Sequence, residues 1–66
     1  MPPETKLEKA ERYVREGEVH VASQTEIVAG LKASRRGARE AQALLKIFKD
    51  SLDGHRQSVA ILKGLS

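Results

Sequence analysis

Apolar residues recur along the chain in alternating steps of three and four, the spacing of one face of an α-helix. In the first half this face holds Leu7, Ala10, Val14, Gly17, Val21, Gln24, Val28 and Leu31. In the second half it holds Ala41, Leu45, Phe48, Leu52, His55, Val59 and Leu62. A seven-residue repeat with apolar a and d positions is typical of helices that pack side by side. The pattern therefore predicts two long helices joined by one turn.

The ends of both helices carry recognisable signals. Thr5 and Glu8 have the spacing of a capping box, and Gly37 is expected to end helix 1 in a left-handed conformation. These signals predict helix 1 over about residues 5–35, a turn over about 36–39 and helix 2 over about 39–63. The short connection makes the helices antiparallel. The expected fold is all-α, a single coiled-coil-like hairpin domain spanning residues 1–66.

Charged residues beside the seam predict how the two helices align. Folding the chain back near residue 37 places Glu11 beside Lys63 and Glu18 beside Arg56. Both are opposite-charge pairs at e positions, which face each other in an antiparallel pair. Such exposed pairs contribute only about 0.2–1 kcal/mol each, so they are expected to select the register rather than to supply stability.

The apolar arc of helix 2 is wider than one partner helix can cover. A second copy would cover it by forming a four-helix bundle with two-fold symmetry, and closed homodimers are the commonest assemblies. Another helical protein docking on the same stripe is the alternative. The predicted interface residues are Tyr13, Ile27, Leu44, Ile47, Ile61 and Leu65.

Five polar residues fall on seam or near-seam positions, and the predicted register places His20 level with His55. This arrangement predicts a polar core layer that fixes the register and the oligomeric state. A metal site is the alternative, because His20 and His55, doubled by symmetry, could offer four imidazoles. The predicted layer consists of His20, Gln24, Ser51, His55 and Ser58.

Composition narrows the functional classes. The chain has 66 residues, no cysteine and only two aromatic residues among Phe, Trp and Tyr, so any core is thin and aliphatic. We find no nucleophile with an acid–base partner, no glycine-rich phosphate loop, no membrane span and no signal peptide. The sequence therefore predicts a protein that is not an enzyme, needs no cofactor and resides in the bacterial cytoplasm.

Positive charge gathers near the predicted turn, at Lys32, Arg35, Arg36 and Arg39. The length and the two-helix layout are similar to the plasmid repressor-of-primer proteins, which implies an alternative role as a Rop-like RNA-binding regulator. The outer face of helix 1, however, lacks the density of positive charge and the aromatic residues that RNA binding uses. Nucleic-acid binding is therefore not the favoured expectation, and solvation and helix-dipole compensation explain the charges more simply.

Two stretches carry a further resemblance. Residues 10–24 (AERYVREGEVHVASQ) and 41–56 resemble short alphaproteobacterial helical-hairpin proteins of unknown function. This sequence departs from them at the turn, where Gly37, Ala38 and Arg39 replace a polar cap. The resemblance implies no activity, so the favoured expectation is a non-catalytic interaction or assembly module that acts as a homodimer.

Overall fold

The computed structural model describes residues 3–65, which form two α-helices, α1 (Lys6–Ala33) and α2 (Arg39–Gly64). The helices pack against each other along their length, in a hairpin that measures 49 × 25 × 12 Å. The prediction of an all-α helical hairpin is confirmed. The helix ends differ from the predicted ends by no more than two residues.

A capping box begins α1. The backbone N–H of Glu8 donates to Thr5 Oγ1 at 3.0 Å, and the backbone N–H of Thr5 donates to Glu8 Oε1 at 3.2 Å. Each side chain thus satisfies an amide that the first turn of a helix leaves without a partner. The sequence-based prediction of this cap is confirmed.

An exposed arginine ties the segment before α1 to its second turn. Arg12 Nε donates to Glu4 Oε2 at 3.1 Å, and Arg12 Nη1 donates to Glu16 Oε1 at 3.0 Å. The hydrogen bond from Arg12 holds the pKa of the Glu4 carboxyl below its ordinary value. The stabilisation is therefore present near neutral pH and is lost as the pH falls through this lowered pKa. Because the pair is exposed, its contribution is small.

The end of α1 differs from the prediction. The backbone N–H of Arg36 donates to the Leu31 carbonyl at 2.9 Å, and that of Arg35 donates to the Lys32 carbonyl at 3.1 Å, which is a Schellman motif. Its left-handed residue is Arg35, with φ 58°, and no glycine described in the chain has a positive φ. The predicted left-handed role of Gly37 is therefore wrong, because α1 ends earlier, at Ala33, and Arg35 occupies the position after the cap.

The predicted seam forms the contact between the helices. Every seam position is buried or half-buried. The most deeply buried residues are Ala10, Gln24, Val28 and Leu52, yet no side chain in the described part of the chain is less than 2% exposed. The heptad assignment is thus confirmed, and the core is as thin as the composition indicates.

Ring contacts show how the two helices align. The ring centroids of Tyr13 and His55 lie 5.3 Å apart, and those of His20 and Phe48 lie 5.6 Å apart. His55 is thus level with Tyr13 and not with His20, so the register differs from the predicted one by one seven-residue repeat. The predicted alignment of His20 with His55 is wrong.

The predicted ion pairs between the helices are also wrong. Within residues 3–65, every ion pair shorter than 4 Å lies within one helix or joins α1 to the segment before it. Neither Glu11 nor Glu18 takes part, and Arg56 faces Asp53 of its own helix at 3.9 Å. Exposed pairs contribute too little to override the packing of buried side chains, which therefore sets the register.

Candidate interaction site

Apolar side chains remain uncovered on one side of the hairpin. We call this set the apolar face: Ile27, Leu44, Ile47, Ile61 and Leu65. Its members are between 41% exposed, at Leu44, and 78% exposed, at Leu65. All five are among the predicted interface residues. Val19, which is not among the predicted interface residues, is also exposed, but it lies on the outer side of α1, and single exposed apolar residues are ordinary.

Tyr13, the sixth predicted interface residue, has a different environment. It is half-buried, with its ring against His55. The guanidinium carbon of Arg12 lies 5.1 Å from the ring centroid, and Lys9 Nζ lies 5.8 Å from it, both within the range of cation–π contacts. Tyr13 thus belongs to the contact between the helices, at the edge of the apolar face.

Two shallow clefts open between the helices around Tyr13. The first has a volume of about 230 Å³ and is lined by Tyr13, Glu16, Gly17, His20, Phe48, Ser51 and His55. The second has a volume of about 310 Å³ and is lined by Lys6, Lys9, Ala10, Tyr13, His55 and Ser58. Ser51, a small residue at the mouth of the first cleft, helps to leave this space open.

The five residues of the predicted polar layer do not form a buried layer in one chain. Only Gln24 is buried, and its Nε2 donates to the Ala41 carbonyl at 2.9 Å. His55 is half-buried, and the other three are exposed: His20, Ser51 and Ser58. His20, Ser51 and His55 line the first cleft, whereas Ser58 lines the second. The burial of this layer in a dimer stays a prediction.

The two histidines are engaged with aromatic rings. His20 lies against Phe48 and His55 lies against Tyr13. Across residues 3–65, no three His, Cys, Asp or Glu side chains come together in a group that could hold a metal ion. A structural zinc site uses four protein ligands, so a metal centre would require residues from a second chain.

The basic residues form a cluster at the turn end of the hairpin. Lys32, Arg35, Arg36 and Arg39 are all exposed there. Lys32 is in the last turn of α1, where the helix dipole favours a cation, but Arg39 begins α2, where the dipole opposes one. Dipole compensation therefore explains Lys32 and does not explain Arg39.

The aromatic residues Tyr13 and Phe48 line the cleft between the helices and not the basic cluster at the turn. The cluster therefore has no aromatic ring on which a nucleic-acid base could stack.

Replacing Gln24 by alanine is expected to lower the free energy of unfolding by about 1–3 kcal/mol, because the change removes a buried hydrogen bond and leaves a gap in the seam. Urea unfolding followed by circular dichroism measures this. Replacement by leucine is the control, since leucine fills the gap without the hydrogen bond and is expected to restore most of the stability. An unchanged stability in Gln24→Ala would contradict the role assigned to the bond between Gln24 and Ala41.

Comparisons with protein-family models, with curated proteins and with solved structures found no match to this chain. The resemblance to alphaproteobacterial proteins therefore stays a prediction. Neither α1 nor α2 contains an apolar stretch of the length that a membrane span requires. The geometry defines the chain as a helical hairpin that carries one uncovered apolar face.

Proposed function

We propose that the protein is a small, non-catalytic interaction module that acts as a homodimeric helical bundle. Two hairpins would pack through their apolar faces, and the free faces of the bundle would serve further assembly. The proposal keeps the bacterial cytoplasm as the location expected from the sequence. A different helical protein on the apolar face is the alternative occupant.

The observation that carries the proposal is the apolar face itself. Three of its five members lie on α2 and a fourth, Leu65, is the C-cap of that helix. Ile47 and Ile61 are both more than half exposed although α2 already packs on α1. Each fully buried side chain of this kind contributes about 1.5–3 kcal/mol. The hairpin alone has few buried side chains, so covering this face would add substantially to a core that is otherwise marginal.

The total exposed surface supports the same interpretation. The chain exposes 5310 Å², whereas a compact monomer of 7.3 kDa exposes about 4200 Å². The excess of roughly 1100 Å² is comparable to the area of about 800 Å² that each partner buries in a standard interface. Pairing two hairpins would therefore bring the exposed surface per mass close to that of an ordinary globular protein.

The other functions considered from the sequence have less support. A Rop-like RNA-binding regulator would depend on the basic cluster at the turn, which no aromatic residue joins. A metal-responsive bundle would depend on His20 and His55, and neither is part of a three-ligand group in the described chain. Both remain proposals of lower rank.

Sedimentation equilibrium over a wide range of concentrations tests the proposal. The unmodified protein is expected to be a dimer. Ile61→Lys is expected to raise the dissociation constant of the dimer by at least about tenfold, because burying a cation without a partner costs more than about 1.4 kcal/mol. Val19→Lys is the matched control, because Val19 and Ile61 are equally exposed, at 63%, and Val19 lies outside the apolar face.

Two results would contradict the proposal. The first is a folded monomer at every concentration, which would leave the apolar face free for a different partner. The second is an equal effect of Val19→Lys and Ile61→Lys, which would separate dimerisation from this face. Circular dichroism of each variant shows whether the helices persist.

A further inference from the structure

One continuous row of exposed residues follows α2 from its second turn to its end. We call this row the α2 stripe, and it contains Leu44, Ile47, Ser51, Gly54, Ser58, Ile61 and Leu65. No member is charged, and all seven are exposed although the helix is packed along its other side. The successive spacing of three and four residues keeps them on one face.

The order of residue types in the α2 stripe is a palindrome centred on Gly54. Moving away from Gly54 in either direction, the stripe gives serine, then isoleucine, then leucine. The two isoleucines, Ile47 and Ile61, are both seven residues from the centre, and the serines and leucines match to within one residue. A two-fold axis at Gly54 would therefore place each residue beside the same residue type of a second copy running in the opposite direction.

We infer that two copies of this chain pair through α2 in antiparallel orientation, with the two-fold axis at Gly54. Ile47 of one copy then packs against Ile61 of the other, and Leu44 packs against Leu65. This inference rests on the proposed homodimer and specifies its geometry. Tyr13, level with His55, comes close to the axis, whereas Ile27 lies towards the turn and outside the contact.

Gly54 supports a close approach of the two backbones. A Cβ built at this position would meet nothing within 4 Å, so the packing of the hairpin does not require a glycine there. Glycine in the middle of a helix costs about 1 kcal/mol relative to alanine. Small residues at a helix crossing let two helices come closer together. Contact with a second copy would therefore give Gly54 and its flanking serines a role that they do not have in the single hairpin.

The hydroxyl group of Ser58 has a hydrogen-bond partner within its own helix. Its Oγ donates to the Gly54 carbonyl of its own helix at 3.1 Å, so its hydroxyl hydrogen is satisfied before any partner arrives. Burying a hydroxyl that has a hydrogen bond avoids most of the penalty for burying an unpaired one. Ser58 can therefore be buried near the centre of the α2 stripe with little penalty for its hydroxyl group.

Charge favours the antiparallel arrangement over the parallel one. Asp50 borders the α2 stripe and bonds Lys46 of its own helix at 3.0 Å. In the antiparallel arrangement Asp50 lies level with Gln57 and Ser58 of the second copy, which are neutral. In a parallel arrangement Asp50 would lie beside Asp50 of the second copy, and the two helix dipoles would also point the same way.

The α2 stripe is about 32 Å long at a rise of about 1.5 Å per residue, and one helix with its side chains is about 10–12 Å wide. The stripe alone therefore offers roughly 300–400 Å² per copy. A standard interface of about 800 Å² per copy would also use the neighbouring side of α1, where Tyr13 comes close to the axis.

Cysteine cross-linking tests this geometry, and the natural chain contains no cysteine that would interfere. Ile47→Cys and Ile61→Cys are prepared separately, one of them labelled with ¹⁵N, then mixed, equilibrated and oxidised. Mass spectrometry distinguishes mixed from same-site disulfides. Gly54→Cys reports contact at the axis, Val19→Cys is the control outside the stripe, and sedimentation of the unmodified protein is measured in parallel.

The mixed disulfide between positions 47 and 61 is expected to predominate, and Gly54→Cys is expected to form a disulfide with the same position of the second copy. The yield of same-site disulfides at positions 47 and 61 is expected to be as low as the yield from Val19→Cys. A dimer that gives same-site products, or no cross-link within the α2 stripe, would overturn this geometry and leave the proposed homodimer standing. A monomer in sedimentation would overturn both.

Discussion

Replacing Leu52 by alanine is expected to lower the free energy of unfolding by about 2–5 kcal/mol. Leu52 is 5% exposed and is the only residue in the described part of α2 that is buried. Its side chain packs closely against Gly17 of α1. In a chain of 66 residues with so few buried side chains, a loss of this size is expected to leave much of the protein unfolded at room temperature.

Urea unfolding followed by far-UV circular dichroism measures the effect, at one fixed protein concentration because dimerisation makes stability depend on concentration. Val19→Ala is the control, since it removes an apolar group that is mostly exposed and is expected to change stability by less than about 0.5 kcal/mol. Equal effects of the two substitutions would show that the contact between Gly17 and Leu52 is not the centre of the core.

Replacing Gly17 by leucine is expected to destabilise the hairpin by about 1–3 kcal/mol or more, because there is no room for the side chain. Even a Cβ at Gly17 would lie 3.1 Å from Leu52 Cδ1 and 3.8 Å from the backbone Cα of Leu52. Leu52 is buried and has little freedom to move aside. The larger side chain would therefore force the two helices apart and uncover the seam on both sides.

The matched control for this prediction is Gly30→Leu, which lies in the same helix. A Cβ at Gly30 meets nothing within 4 Å, so the substitution gains helix propensity without a clash. It is expected to stabilise the protein by up to about 1 kcal/mol. Thermal or urea unfolding of both variants compares them, and a change of the same sign in both would contradict the close contact at Gly17.

The candidate site shows which kinds of information the sequence contains. Ile47 and Ile61 could be assigned to an exposed face, because helical periodicity alone places them away from the seam. Gln24 could be assigned to the seam for the same reason, but its hydrogen bond to Ala41 depends on the position of the other helix. The palindrome around Gly54 is visible in the sequence, and it acquires meaning once the structure leaves the whole α2 stripe uncovered.

The sequence by itself determined the properties that depend on neighbours along the chain. Helical periodicity identified the seam, and the spacing of Thr5 and Glu8 identified where α1 begins, because both involve residues within one or two turns. Only the tertiary structure decided the register, since Gly17 lets Leu52 approach and exposed charges such as Glu18 contribute too little to oppose that packing. It also placed Arg35, and not Gly37, in the left-handed conformation, because the path of the turn depends on where the second helix packs.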